Sequence, residues 1–502
     1  MYRKKIIFKN SFTSLTGQII SEILQFVVRI FVLRYIGIEV MGISTTFTSI
    51  LQTLSLAELG FQTAVVYYLY KPINHHDETK INQILAILKY VYRIIGVIFI
   101  VLALVCIPML KYIMKDIDIT ETVIAYYIIM TMNIACTYFF AHKRALLLAD
   151  QKDYISQSVD CLFNIIISIL KIGVIILFKN YIAFLFLQVF QTIGTNIIIN
   201  FFCKKKYVFL CPCKFEESVF KSISRDVKSI FMGKLAGYVY GATDNLILSS
   251  VVGTIYVGYL SNYVVFISAT KKALGSMFYA MTSIIGNMLE ENSGNKNKEI
   301  IFRMYSYVRY VLASMIIIPW MLFADDVVKI LYGKQYILSD MVVVLLAIDL
   351  YIHIVYTPCC EYINGSGYFR IDKDIAILGA IINIVTSMFF VYKMGLEGIL
   401  LGTVLSQIFF WIGRSSIVYL KVFTMSKRKY FKYISINIKW ILVLVFQIMI
   451  ASNVKNIFKI EHYILGLAIA FLLCELINVI IQLVVFRTSE EQKILFEKII
   501  LK

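Results

Sequence analysis

The sequence predicts an all-α polytopic membrane protein of about fourteen transmembrane helices, built as two parallel six-helix lobes followed by two further helices. Three observations predict it. The 502 residues are 60% hydrophobic and only 16% charged, with mean hydropathy +0.79, whereas soluble chains are about a quarter charged. Apolar stretches of roughly 20 residues or more, the length that crosses a bilayer, recur with short linkers between them. An internal echo also appears when the chain is shifted by 216 residues: Gly37 and Gly42 fall on Gly253 and Gly258, and Ser44 and Ser261 follow shortly after.

The spans run in order over 11–34, 40–69, 86–110, 120–141, 154–178 and 181–202 in the first lobe. Those of the second lobe run over 229–250, 255–287, 303–323, 338–360, 374–392 and 396–420. Spans 433–452 and 462–486 follow, and the tail after Arg487 reads as a short amphipathic helix or a solvated end. The N-terminus resembles the start of a signal peptide, but the apolar run after it is too long and too polar and lacks a small-residue cleavage site. It is expected to be an uncleaved first span. The domain division is 1–202, a basic linker 203–228, 229–420, and 421–502. An even number of spans per repeat requires the two lobes to share one orientation. Lys and Arg concentrate in the loops on the side of the termini, which predicts cytoplasmic termini. Spans 5–6 echo spans 11–12, with Lys179 and Lys393 each closing a span, and the elbow Asp150–Asp153 pairs loosely with Ile371–Asp374.

The first helix carries Ser11, Ser14, Gln18, Glu22, Gln25 and Arg29 at spacings of three and four, so they share one face. A charge at the bilayer centre costs at least ~2.5–3.5 kcal/mol, so this face turns toward other helices or water. The 216-residue shift carries its lower half onto Lys234, Tyr238, Gly241 and Asn245, beside Asp244. A second stripe runs through Thr48, Gln52, Ser55, Glu58 and Gln62. Span 5 carries Asp160, Asn164 and Lys171, and Lys271, Lys272, Arg303, Arg309 and Arg414 follow in the second lobe. Two half-bundles with polar inner faces describe a central aqueous cavity. Its candidate substrate-binding residues are Gln18, Glu22, Gln25, Arg29, Gln52, Glu58, Lys234, Asp244, Asn245, Lys271, Lys272 and Arg309. Cations outnumber anions there, which suits an anionic, (pyro)phosphate-bearing cargo. Packing glue, snorkelling and local pairing are the bland alternatives for single members of the set. Glu58 and Asp160 are the candidates for Na⁺ or H⁺ coupling, although each acidic group is also expected to partner a nearby cation.

Other chemistries are thinly represented. The formal charge of +18 raises nucleic acid as a partner, but the basic residues sit in loops on one side of the membrane, which argues against it. The nine cysteines are mostly inside spans, as small hydrophobes. Cys211 with Cys213, and Cys359 with Cys360, lack further ligands at metal-site spacing, so no metal and no cofactor is expected. Asp116 and Asp118 form a D-x-D of the glycosyltransferase kind, but in a loop too short to hold an acceptor. The stretch His75 to Glu78 reads as a solvated turn. There is no P-loop, no H-E-x-x-H and no nucleophile elbow, so the chain is not expected to be an enzyme.

Several stretches carry a family resemblance: Arg34–Ser44, Leu54–Gly60, Tyr68–Ile73, Thr243–Ser250 with Val257–Tyr263, Ile330–Tyr336, Gly365–Gly367 and Gly395–Gly398. In that order they resemble the Wzx-type polysaccharide flippases of the multidrug/oligosaccharidyl-lipid/polysaccharide (MOP) exporter superfamily. The resemblance implies a two-lobe fold like that of the multidrug (MATE) and lipid II (MurJ) transporters, working by alternating access. It implies a bacterial cytoplasmic membrane location and a monomer. The cargo it implies is an undecaprenyl-pyrophosphate-linked oligosaccharide for O-antigen or capsule, handed on by other polysaccharide-assembly proteins. A cation-coupled multidrug exporter and a lipid II flippase are the alternatives.

Overall fold

The computed structural model describes residues 2–55, 61–211, 213, 220, 243–278, 281–290, 295–458, 464–487 and 489–493. Among the described residues the regular structure is entirely helical. Eleven helices among the described residues are long and apolar enough to span a membrane. They correspond to the expected spans 1, 3–6 and 9–14. Expected span 2 is interrupted by residues outside the described set, span 7 lies largely among them, and span 8 falls on a more polar helix. The chain divides into two compact units, Met1–Ser261 and Asn262–Lys502.

In the first unit, α1 (Tyr2–Tyr35), α2 (Ile38–Leu54), α3 (Phe61–Asn74), α4 (Glu78–Cys106), α5 (Glu121–Phe140), α6 (Tyr154–Phe178) and α7 (Tyr181–Lys206) follow one another. The start of α8 (Thr254–Met277) completes the unit. Asp77 starts α4 by accepting the Lys80 N–H at 3.1 Å, so the expected solvated turn is also a helix cap. The Thr79 hydroxyl and that N–H hold the Asp77 carboxyl below its usual range. α1 packs along α6, α5 along α4 and α7, and α6 along α7. The apolar interior gathers around Phe47, Leu51, Leu88, Phe99 and Leu146. A second cluster joins α1 to α7 through Val28, Val32, Tyr181, Phe184 and Leu185.

In the second unit, α8 continues into α9 (Met281–Glu290), α10 (Asn295–Leu331), α11 (Asp340–Ser366), α12 (Phe369–Met394), α13 (Leu396–Ile417), α14 (Lys427–Phe458) and α15 (Ile464–Val485). α11 is the central helix, packed against α9, α10 and α13. One end of the unit is an aromatic core of Phe302, Tyr362, Tyr419, Phe423 and Tyr433. The described start of the tail is docked: Glu491 and Gln492 are buried, and the Arg303 Nε donates to Glu491 at 2.9 Å.

The repeat is visible in the backbone. Gly37 and Gly253 precede matching helix starts, with φ of 116° and 153°. The end of α6 at Phe178 and the end of α12 at Met394 are 216 residues apart, and positive-φ residues, Lys179 and Gly395, cap them at the same offset. Lys179 thus corresponds to Gly395 rather than to Lys393. Gln151 (φ 55°) and Gly367 (φ 78°) repeat the pattern. The elbow at Asp150–Asp153 therefore matches 366–369, not the expected Ile371–Asp374. Backbone handedness fixes the register where the side chains have drifted.

Candidate functional site

The two glycine turns meet each other. A Cβ on Gly42 would lie 2.3 Å from the Thr254 carbonyl oxygen, and one on Gly258 would lie 2.8 Å from the Ile38 carbonyl oxygen. Ile38 and Thr254 are themselves 216 residues apart, so the two contacts are one contact seen from either repeat. The Gly-x4-Gly spacing puts both glycines at the start of a helix, where the absence of a side chain lets two backbones touch. The loop at Lys115–Asp116 clips the same place. Asp116 Oδ1 accepts from the Thr254 N–H at 2.5 Å and Oδ2 from the Ile255 N–H at 3.1 Å, and Lys115 Nζ donates to the Val251 carbonyl at 2.9 Å. An aspartate on the free N–H groups of a helix start is favourable in both hydrogen bonding and dipole. Asp116 thus serves as a helix cap.

The polar stripe of α1 runs beneath this seam. The Arg29 guanidinium donates to the Ser261 hydroxyl, which in turn donates to the Gly258 carbonyl at 2.7 Å. Asn245, the repeat equivalent of Arg29, donates to Ser49 at 3.0 Å. Exact exchange of the repeats would pair it with Thr45, one helical turn away, so the two bridges are near-symmetric. Gln18 and Glu22 are half-buried, and Gln25 is exposed. Gln52 is exposed and Asp244 is half-buried. Glu58 and Lys234 lie outside the described residues.

Further ionic groups of the first unit fall into two kinds. Asp160 is held by both arms of Arg144, at 2.6 and 2.8 Å, and Arg144 Nε donates to Asn196 at 2.8 Å. This is the cation partnership expected of the acidic groups. Lys171 contrasts with it. Its Nζ lies 3.5 Å from the Gln191 amide oxygen and 5.0 Å from the centre of the Phe184 ring. Phe184 stacks on Tyr181 at 5.1 Å, and the Asn164 and Gln191 amides lie alongside Lys171.

In the second unit, Lys271 pairs with Asp349 at 2.9 Å, and Gln407 donates to the other carboxylate oxygen at 2.9 Å. Lys272 is exposed. Arg309 is 2% exposed. It donates to Glu361 at 2.8 Å and lies over the Phe278 ring at 3.7 Å, while the Tyr305 hydroxyl donates to Glu361 at 2.5 Å. Arg414 donates to Asp372 at 2.6 Å. Sequence reasoning did not single out Asp349, Glu361 or Arg144. The first two had a signal, a lone carboxylate in or at the edge of an apolar span; Arg144 opens a short helix, Arg144–Ala149, between two spans and had none. Among the described residues no cluster of His, Cys, Asp and Glu has the make-up of a metal site.

The fold is that of known transporters. A lipid II flippase, MurJ, in an inward closed conformation superposes with a TM-score of 0.70 at 14% identity, covering 94% of this chain and 98% of that one. An inward-facing multidrug resistance MATE transporter of the MOP superfamily gives 0.62 at 13% identity, over 80% and 96%. A MATE in the bent conformation gives 0.52 at 15%, over 82% and 93%. No curated protein matches the chain in sequence. A family model described as "Polysaccharide biosynthesis protein" matches residues 7–285, more than half of the chain. That match bears out the family resemblance read from the sequence motifs: the chain belongs to the polysaccharide biosynthesis protein family, and its fold is MurJ/MATE-like.

Proposed function

We propose that this protein is a flippase that carries an oligosaccharide linked to undecaprenyl pyrophosphate across the bacterial cytoplasmic membrane by alternating access. The observation that carries the reading is the reciprocal glycine seam above the α1 stripe. With both termini cytoplasmic, the seam lies on the outer side and closes it. At its centre backbone touches backbone, with polar bridges from Asp116 and Arg29 beside it. The pyrophosphate is drawn to Arg29 and Lys171, the sugars to Gln18, Gln25 and the Asn164–Gln191 amides, and the polyprenyl tail stays in lipid. A guanidinium and an ammonium together suit a diphosphate, since one forks onto oxygens and the other follows as a point charge.

Na⁺ or H⁺ coupling falls to Glu58 rather than Asp160. A carboxylate held by both arms of an arginine must lose that partner before it takes an ion. No cofactor is required. The protein acts as a monomer and passes its cargo to polysaccharide-assembly partners.

Deleting the protein should trap carrier-linked repeat units in the inner leaflet and abolish surface polysaccharide, and Arg29→Ala should do the same at normal abundance. Unchanged surface glycan in the deletion overturns the reading. Arrested peptidoglycan synthesis would point instead to lipid II, and drug hypersensitivity alone to a multidrug exporter.

A further inference from the structure

We propose that the first unit carries a built-in binding site for an anionic phospholipid headgroup, formed by Lys89 and Arg93 on α4, Lys143 after α5, and Lys204 at the end of α7. Three observations converge there. Lys89 and Arg93 are exposed and one helical turn apart. Just beyond them an exposed apolar face runs along α4 from Ile94 through Val97 and Val101 to Val105, and on to Met109 in the turn after it. With the short helical turns after it, this face continues to the exposed Tyr112. It is about 27 Å long at 1.5 Å per residue, close to the ~30 Å of bilayer hydrocarbon. The two cations therefore stand at its edge, where headgroups lie.

Neighbouring elements bring the other two cations to the same level. Gly96 lets α5 approach α4 closely, since a Cβ there would be 3.2 Å from Tyr138 and Phe139. Asn200 of α7 donates to the Phe140 carbonyl at 3.2 Å, and the Cys203 thiol lies 3.9 Å from the Lys143 carbonyl oxygen.

Among the described residues the cluster has no internal counter-charge. Among the described residues none of the four cations makes an ion pair, and acidic groups on adjoining elements are engaged elsewhere: Asp77 caps α4, Asp150 pairs with Lys152 and Tyr207, and Asp160 pairs with Arg144. His142 sits among the cations. Its Nδ1 is buried without a hydrogen-bond partner, and burial together with Lys143, Lys89 and Arg93 pushes its pKa down to about 4. It therefore adds no further positive charge near neutral pH. Burial, Lys204 and Lys89 likewise push Lys143 down. Cations that oppose one another at a lipid boundary are relieved by an anion, and the phosphodiester of a lipid is the anion present at that depth.

The test titrates phosphatidylglycerol into the full-length protein in a neutral detergent and counts bound lipid by native mass spectrometry, with phosphatidylcholine and inorganic phosphate as competitors. Lys89→Gln with Arg93→Gln should weaken phosphatidylglycerol binding about tenfold, in keeping with two basic side chains near an anionic surface. Lys432→Gln with Lys439→Gln, two exposed lysines of α14, removes the same charge and should change binding little. Neither competitor should displace the lipid. An equal loss in both double variants, no preference over phosphatidylcholine, or displacement by inorganic phosphate would each overturn the proposal. The first two would indicate diffuse surface charge, and the third a free-phosphate site. The readout is independent of any transported glycan, so it stands or falls apart from the flippase reading.

Discussion

A single methyl group on Gly42 tests whether the glycine seam opens. The Cβ of Gly42→Ala would sit 2.3 Å from the Thr254 carbonyl oxygen and 3.1 Å from its carbon. Ordinary contact begins near 3.4 Å, so the two helix starts must separate by about 1 Å. Both surfaces are backbone, and neither can rotate away as a side chain would. Overpacking of this kind costs typically ~1–3 kcal/mol. In a rigid core that cost would appear as lost stability. In a seam with an open alternative the open state escapes it, and the equilibrium shifts by a factor of roughly 5 to 150. Gly258→Ala, at 2.8 Å from the Ile38 oxygen, should act in the same direction more weakly. Gly173→Ala has nothing within 4 Å and serves as the control.

The assay is labelling by a membrane-impermeant maleimide added from outside. The protein carries Ser49→Cys, a buried position beneath the seam, in a background with the nine native cysteines replaced. Gly42→Ala should label several-fold to a hundredfold faster than its parent at equal abundance, Gly258→Ala by less, and Gly173→Ala at the parental rate. A lower melting temperature without faster labelling would refute the reasoning, because the seam would then be static packing. Faster labelling in Gly173→Ala would refute it too, since the label would be reporting general loosening.

Three further outcomes follow from the ionic groups. Arg144→Ala should cost the purified protein roughly 1–3 kcal/mol by leaving Asp160 unpaired in a partly open setting, and Arg144→Gln with Asp160→Asn should cost less than the two single changes added together, as read by melting curves. Arg309→Ala should cost more, about 3–5 kcal/mol, because Glu361 and Arg309 are both buried; a loss below 1 kcal/mol would count against the pair as a structural element. His142 sets a pH dependence: its folded pKa of about 4 lies below the ordinary 6.5, so below pH 6.5 the unfolded chain binds a proton that the folded one refuses. Stability in neutral detergent should be flat above pH 6.5 and fall by up to about 3 kcal/mol toward pH 4, and His142→Gln should remove that part of the slope.

What the sequence could reveal about this site followed from the range of each signal. Helical spacing is local, so the stripe from Gln18 to Arg29 was readable from neighbours three and four residues apart. Glycines are nearly irreplaceable where φ is strongly positive, so Gly37 and Gly253 kept the repeat legible after the polar residues between lobes had diverged. Ion pairs have no such signature. Arg309 and Glu361 are 52 residues apart and Lys271 and Asp349 78 apart, and nothing periodic links them. A list of intramembrane charges therefore could not separate those that hold helices together from those left to meet a ligand. The structure makes that separation by partner. Arg309, Lys271 and Arg144 each meet a carboxylate, so moving them uncovers a charge. Lys171 meets amide and ring, and Arg29 reaches the Ser261 hydroxyl on the helix start at Gly258. A cation used by a cargo must be able to change partners cheaply, and by that criterion Lys171, which meets no carboxylate among the described residues, stands apart from Arg309, Lys271 and Arg144.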